Sequence, residues 1–259
     1  GLTSGVTGIA VGASHTCATT SAGAALCWGT NQSGRLGTTG GDSSSPVQVT
    51  GLSSGVSAVS VGSGHTCAIA GGGAAKCWGD NQYGQLGDGT TTSRDTPVPV
   101  TGLGSGVIAI SAGEWYTCAI TSGGAAKCWG SNQYGQLGDG TTTNSSAPVQ
   151  VAGLGSSTAV IAASVSYLVR GHTCAVTSSG AVKCWGDNHL GQLGDGTTAS
   201  RYTPVGVTHL DSGVVAVSAG AGHTCAITSA GSAECWGSNS YGQLGTPSGR
   251  TPVDVIGLE

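Results

Sequence analysis

The sequence predicts an all-β fold, a β-propeller of five four-stranded antiparallel blades with one disulfide in each blade. Two cysteines ten residues apart recur five times, and the dipeptide Trp-Gly follows each second cysteine. Successive first cysteines are 50, 51, 56 and 51 residues apart, a length typical of one propeller blade. Alternating runs of Val or Ile with Ala or Ser indicate strands, and no segment shows a helical period.

The repeat units divide the chain into one domain, because no linker or shift in composition separates them. Their approximate bounds are 1–50, 51–101, 102–152, 153–208 and 209–259. A single unit of this size cannot bury both faces of its sheet, so neighbouring units must stack. An open stack would leave two apolar faces exposed, and we therefore expect the five units to close into a ring.

Each unit predicts four strands in the same order. The first is the alternating run, such as Val56–Val61, and the second is the run that begins His-Thr-Cys-Ala. A tight turn follows, with a glycine such as Gly73 at the position that favours a left-handed backbone. The third strand carries Cys-Trp-Gly. The fourth begins with Pro-Val, because a proline at the first strand position removes no essential hydrogen bond.

The cysteine pairs flank these hairpin turns symmetrically. In the first hairpin, Cys17 and Cys27 are equally far from Ala22, so they are directly opposite and on the same face. Opposed residues of antiparallel strands are close enough to form a disulfide. Buried thiols and a metal site are the alternatives, although structural zinc needs four converging ligands with closer spacing. The expected disulfides are Cys17–Cys27, Cys67–Cys77, Cys118–Cys128, Cys174–Cys184 and Cys225–Cys235.

The composition limits the classes of function. The net charge is −4 and there are only eight Lys and Arg residues, so we expect no nucleic-acid partner. No apolar run reaches the roughly 18 residues of a membrane-spanning helix, and no membrane span is predicted. The low charged fraction, 8%, leaves self-association possible. Ten regularly paired cysteines indicate an oxidising environment and predict an extracellular or cell-surface location.

A longer motif resembles the repeat of the regulator of chromosome condensation family. It reads Gly-x-x-His-Thr-Cys-Ala, then Cys-Trp-Gly-x-Asn-x-x-Gly-Gln-Leu-Gly-Asp-Gly-Thr, and it recurs over essentially the whole chain. Its most specific part is represented by Trp78-Gly79, Asn81 and 84–87, and the first unit departs from it with Arg35 in place of Gln. The resemblance implies a propeller of four-stranded blades that acts as an interaction scaffold.

Two departures from that family change the expectation. Its familiar propeller has seven blades, whereas this chain has five units, so the further blades either are not needed or come from another chain. The cysteine pairs also replace small or aliphatic residues of the family pattern. This difference suggests an extracellular branch and weakens the case for a nuclear nucleotide-exchange role.

Repeated polar residues have a structural interpretation. A ring of histidines could bind a metal, but a hydrogen-bonding role in the repeat framework is favoured for His15, His65, His172 and His223. Single aspartates in Gly-Asp-Gly-Thr turns indicate Asx-type turns rather than calcium sites. These are Asp88, Asp139 and Asp195. No catalytic group, cofactor or metal site is predicted, and we expect that the protein is not an enzyme.

The candidate binding residues lie where the repeat is broken. Glu114-Trp115-Tyr116 replaces Ser63-Gly64-His65 of the preceding unit, and the next unit has a longer connection, 165–170, at the matching place. Trp, Tyr and Arg anchor interfaces, and insertions in repeats often lie on the binding face. Local repacking is the alternative. The predicted binding residues are Glu114, Trp115, Tyr116, Tyr167, Leu168 and Arg170.

Two functions are compatible with these features, and an enzyme is a remote alternative. The first is a secreted or cell-surface module that binds a protein or a glycan through the broken repeats. The second is a structural subunit of an extracellular assembly or filament. A further aromatic set at a regular repeat position is expected to be structural: Tyr83, Tyr134 and Tyr241.

Overall fold

Five separate antiparallel sheets form the protein in a computed structural model that describes residues 2–165, 170–246 and 249–255. Each sheet has four strands, and their spatial order is their order along the chain. This arrangement confirms the predicted propeller of five four-stranded blades. In the described part of the chain, no helix has the length and apolar character needed to cross a membrane.

Each blade has its four strands in the predicted order, but the predicted start of the fourth strand was wrong: it begins three residues before the proline, as at Arg94 before Pro97. Blade 1 contains β1 (Val6–Val11), β2 (His15–Thr20), β3 (Ala25–Gly29) and β4 (Ser43–Gln48), with a short 3-10 turn at Gln32–Gly34. Blade 2 contains β5 (Val56–Val61), β6 (His65–Ala70), β7 (Ala74–Gly79) and β8 (Arg94–Pro99). Blade 3 contains β9 (Val107–Ala112), β10 (Tyr116–Thr121), β11 (Ala126–Gly130) and β12 (Ser145–Gln150).

The last two blades repeat this plan. Blade 4 contains β13 (Thr158–Ala163), β14 (His172–Thr177), β15 (Val182–Gly186) and β16 (Arg201–Gly206). Blade 5 contains β17 (Val214–Ala219), β18 (His223–Thr228), β19 (Ala233–Gly237) and β20 (Gly249–Asp254).

One disulfide joins the two middle strands of every blade. Cys67 is directly opposite Cys77 in the register of β6 and β7, and the other four pairs have the same register. All five pairs have a Cα–Cα distance of 4.1 Å and S–S distances between 2.08 and 2.11 Å. The predicted pairing is confirmed. In the chain-entropy account, closing a loop of this length contributes roughly 2–3 kcal/mol.

The apolar core lies between consecutive blades. At the first interface, Trp78 of blade 2 packs against Cys27, Leu36 and Val49 of blade 1. Its indole Nε1 donates a hydrogen bond to the backbone oxygen of Arg35 at 3.0 Å. The same arrangement places three more tryptophans on their preceding blades: Trp129, Trp185 and Trp236.

Within the described residues, blade 5 does not close onto blade 1. Strand contacts join each blade to the next, but in the described ranges no comparable contact joins blade 5 to blade 1. The expectation of a closed five-bladed ring was therefore wrong.

Candidate binding site across blades 2, 3 and 4

A cavity of about 290 Å³ lies at one end of the three middle blades. Its walls include Tyr83, Glu114, Trp115, Tyr134 and Arg170, and we call it the aromatic cavity. It therefore brings together four residues of the predicted binding set, which come from two different blades: Glu114, Trp115, Tyr116 and Arg170. Tyr167 and Leu168, also predicted, lie outside the described residues.

Two loops place aromatic rings on either side of a blade boundary. Trp115 lies in the β9–β10 turn, and Tyr83 lies in the β7–β8 loop of the preceding blade. Their ring centroids are 5.2 Å apart with an interplanar angle of 36°. The Tyr83 backbone N–H donates to Gln85 Oε1, and Gln85 Nε2 donates to Asp80 Oδ2. Gln85 therefore fixes the loop that presents this tyrosine.

Tyr134 occupies the same loop position in blade 3 and supports the cationic side of the cavity. The guanidinium carbon of Arg170 lies 4.7 Å from the centroid of the Tyr134 ring. This distance is typical of a cation–π contact. Arg170 precedes β14 of blade 4, so the contact joins blade 4 to blade 3.

Glu114 is the acidic wall of the cavity. Its side chain is buried, and its Oε1 atom has no hydrogen-bond partner in the described part of the molecule. Burial raises the pKa of the Glu114 carboxyl to about 7. Among the described residues, no ion pair joins it to Arg170, although both residues line the same space. The carboxyl can therefore exchange a proton near neutral pH or accept a hydrogen bond from a cationic group.

Tyr116 forms the floor beneath these residues and braces the insertion. Its buried hydroxyl donates to the backbone oxygen of His172 at 2.5 Å and accepts from the Ser164 N–H at 3.0 Å. Ser164 and His172 also bond to each other, through the Ser164 N–H to the His172 backbone oxygen and the His172 N–H to Ser164 Oγ. Burial raises the pKa of Tyr116 to about 12. Tyr116 thus shapes the site by packing and hydrogen bonding.

The regular histidines are parts of the blade-to-blade framework. Nε2 of His15, His65 and His172 lies 2.8–2.9 Å from a threonine hydroxyl of the next blade. Burial lowers the pKa of His15 to about 4 and those of His65 and His172 to about 3, so these imidazoles stay neutral at physiological pH. His223 in blade 5 is only partly buried.

The aspartates at the outer loops are engaged within their own turns. Asp88 accepts hydrogen bonds from the N–H and hydroxyl of Thr90 and pairs with Arg94. These bonds and the Arg94 charge lower the pKa of the Asp88 carboxyl, although desolvation, the largest single influence, acts in the opposite direction. The described residues contain no group of three His, Cys, Asp or Glu side chains suited to a metal.

Comparison with known proteins places this architecture. A model described as the regulator of chromosome condensation (RCC1) repeat matches residues 22–69, 77–120, 128–176 and 179–227. A second model of the same repeat matches all five blades, at 6–35, 56–85, 107–136, 164–192 and 214–243. The chain belongs to the RCC1 repeat family.

Among relatives, the ultraviolet-B receptor UVR8 of Arabidopsis thaliana is 35% identical over 243 residues, which cover 92% of this chain and 54% of that protein. The Protein RCC2 homolog of Danio rerio is 37% identical over 131 residues, 50% of this chain and 26% of that protein. The RCC1-repeat chain therefore spans about half the length of the first relative and about a quarter of the second.

Solved structures show the same fold. Human WBSCR16 superposes with a TM-score of 0.83 at 20% identity, over 98% of this chain and 67% of that one. Prp20p of Saccharomyces cerevisiae gives 0.82 at 21% identity, over 98% and 64%. Five RCC1 blades thus match a large part of two longer chains, which agrees with an arc that does not close.

Sequence analysis missed part of the aromatic cavity. Tyr83 and Tyr134 were expected to be structural, but both line the cavity beside Trp115 and Arg170. The sequence did contain a signal that these tyrosines are not required by the repeat, because the same position holds Ser33 in blade 1 and Leu190 in blade 4. Tyr241, at the same position in blade 5, is largely exposed. The tyrosines of this RCC1 repeat are therefore not equivalent.

Proposed function

We propose that this propeller is a protein-binding module that holds its partner at the aromatic cavity. The observation that carries the proposal is the convergence of Glu114, Trp115 and Arg170 on one cavity together with Tyr83 and Tyr134. Tryptophan, tyrosine and arginine form the energetic centres of many interfaces. The yeast propeller Prp20p has binding properties to Gsp1p and histones, and its complex with Kap60 has been crystallised. These interactions of a protein with the same fold support an interaction role for the scaffold.

A basic side chain of the partner fits the cavity chemistry best. Tyr83 and Trp115 offer aromatic faces, and Glu114 offers a carboxyl oxygen that has no partner in the described structure. A lysine or arginine side chain would gain cation–π contacts and an ion pair from the same space. The volume of about 290 Å³ suits one side chain rather than a folded segment.

Binding rather than catalysis is proposed for this chain. All ten cysteines are in disulfides, and three of the repeat histidines bond to threonines of the next blade. The five disulfides are consistent with an extracellular location, and we propose a secreted or cell-surface site of action.

The test uses short blocked peptides with one central lysine, measured by calorimetry against the oxidised protein. The lysine peptide should bind, and the same peptide with acetyl-lysine should bind at least tenfold more weakly. Trp115→Ala and Glu114→Gln should each weaken lysine-peptide binding at least tenfold. Tyr241→Ala is the control. This exposed tyrosine has the repeat position of Tyr83 and Tyr134 but does not line the cavity, so the variant should bind as the unaltered protein does.

The same titration has a defined pH dependence. Because the Glu114 pKa is about 7, its carboxyl becomes charged as the pH rises from 6 to 8. The lysine remains protonated over this range, so affinity should increase, whereas Glu114→Gln should remove the increase. Equal binding of both peptides, or binding of neutral oligosaccharides without peptide binding, would overturn the proposal; the latter result would indicate a glycan site.

A further inference from the structure

The two ends of the propeller carry the two halves of an interface that the chain forms four times internally. At each internal interface, a tryptophan Nε1 and a threonine hydroxyl of one blade donate to the same backbone oxygen of the preceding blade. For blades 1 and 2 the donors are Trp78 and Thr66, and the acceptor is Arg35, with both distances 3.0 Å. The acceptors at the next three interfaces are Gln85, Gln136 and Gln192.

Blade 5 has an open socket where the next tryptophan would lie. A cavity of about 530 Å³ is lined by the Cys225–Cys235 disulfide, Ile227, Leu244 and Gly245, among others. Ile227 is 48% exposed, whereas Ile69 at the same position of blade 2 is 3% exposed. The backbone oxygen of Gln243 is the counterpart of the four internal acceptors.

The glycine of this socket differs from its four counterparts in having no tryptophan beside it among the described residues. At Gly87, an added Cβ would lie 2.7 Å from Trp129 Nε1 of the next blade, and three other blades show the same approach. At Gly245, which has the same positive φ, an added Cβ would approach only Val255 within the described residues. Blade 5 therefore has the tight glycine surface without an indole against it.

Blade 1 presents the complementary face. Ile9 and Val11 of β1 are 65% and 69% exposed, whereas Val61, the counterpart of Val11 in blade 2, is 5% exposed. Trp28 is only partly buried, whereas the equivalent tryptophans of the other blades are fully buried. Neither Trp28 Nε1 nor Thr16 Oγ1 forms a hydrogen bond within the described parts of the chain.

We propose that blade 1 of a second copy of this chain docks head to tail on blade 5, with Trp28 in the socket. Trp28 and Thr16 would then donate to the Gln243 backbone oxygen, and His223 would bond to Thr16, as His65 does to Thr117 at an internal interface. Both halves are open on one molecule and match each other in residue type, so a second copy supplies each half with its partner. The contact is heterologous and leads to a larger ring or a filament.

Sedimentation of the oxidised chain over a range of concentrations tests this contact. The unaltered protein should exceed the monomer mass increasingly as its concentration rises. Trp28→Ala and Ile227→Lys should each remain monomeric, because each removes one half of the contact. A one-to-one mixture of these two variants should form a dimer and nothing larger, since only one intact pair of faces remains.

Two further variants control for folding and for exposure. Val11→Lys should reproduce the effect of Trp28→Ala without altering a tryptophan. Ile108→Lys replaces an exposed apolar residue that lies on neither end face, and it should associate as the unaltered protein does. If the unaltered protein stayed monomeric at high concentration, the proposal would be overturned. The blade 1 face and the blade 5 socket would then bind something other than a second copy of this chain. Association that persists in both single variants, or a mixture that stays monomeric, would also contradict it.

Discussion

The interface between blades 2 and 3 and the interface between blades 3 and 4 solve the same packing problem differently. At the first, His65 reaches the Thr117 hydroxyl, and Trp129 bonds to the Gln85 backbone oxygen. At the second, Tyr116 takes the histidine position and reaches the backbone of His172, while Trp185 bonds to the Gln136 oxygen. The tryptophan contact is kept and the residue beside it changes.

This difference shows which part of the repeat can be altered to build a site. The tryptophan and its acceptor hold the blades together, so they recur at all four interfaces. The neighbouring position tolerates a larger side chain, because the phenol hydroxyl satisfies the Ser164 N–H at the base of the insertion. Arg170 of the same blade lies over the ring of Tyr134. The change from histidine to Tyr116 in blade 3 thus accompanies a new contact surface, formed by Arg170, in blade 4.

The largest expected effect tests whether the two interfaces share one source of stability. Trp129→Ala and Trp185→Ala should each lower the free energy of unfolding by about 3–5 kcal/mol, since each removes a fully buried indole. Trp28→Ala, at the open end, should cost less than about 1 kcal/mol at concentrations where the chain is monomeric. Guanidinium unfolding of the oxidised proteins measures all three. A loss at Trp28 as large as at Trp129 would mean that the blade 1 face is covered within a monomer.

The repeat framework could be read from the sequence because its signals are local. The ten-residue cysteine spacing fixes the register of a hairpin, and the glycine-closed turn fixes its centre. Both were confirmed in every blade. Openness of the propeller could not be read in the same way, since the rotation between blades depends on packing across the interface. Alternation in β1 and β5 looks alike, yet Val11 is exposed and Val61 is buried.

The candidate site was predicted in part for a similar reason. Trp115 and Arg170 were identifiable as breaks in the repeat, whereas Tyr83 and Tyr134 share a repeat position with Tyr241 and were therefore expected to be structural. Their role arises from what the neighbouring blade places beside them, a Trp115 ring in one case and an Arg170 guanidinium in the other. Sequence periodicity reports the position of a residue in its own blade and not its neighbour across the boundary.

A smaller effect tests the role of the phenol that distinguishes the two interfaces. Tyr116→Phe keeps the buried ring but removes the hydroxyl that bonds to Ser164 and His172. We expect a loss of about 1–3 kcal/mol in unfolding free energy and faster amide exchange at Ser164. Tyr83→Phe is the control, because no hydrogen bond of its hydroxyl is seen within the described structure. Equal stabilities of the two variants would show that ring packing alone supports the insertion.

The smallest effect concerns Glu114, which stands where blade 2 has Ser63. Its folded pKa of about 7 exceeds the ordinary value of 4.5, so the folded state holds this proton more tightly than the unfolded state does. Its contribution to stability is therefore present below pH 4.5 and is lost as the pH rises through 7. Relative to the unaltered protein, Glu114→Gln should gain a few degrees in Tm at pH 8 and little at pH 4.5. Scanning calorimetry at both pH values measures the difference, and a gain that is equal at the two would show that the glutamate acts by its shape. A gain confined to high pH would show that the buried Glu114 carboxylate lowers the stability of the free protein. A cationic partner would neutralise that charge.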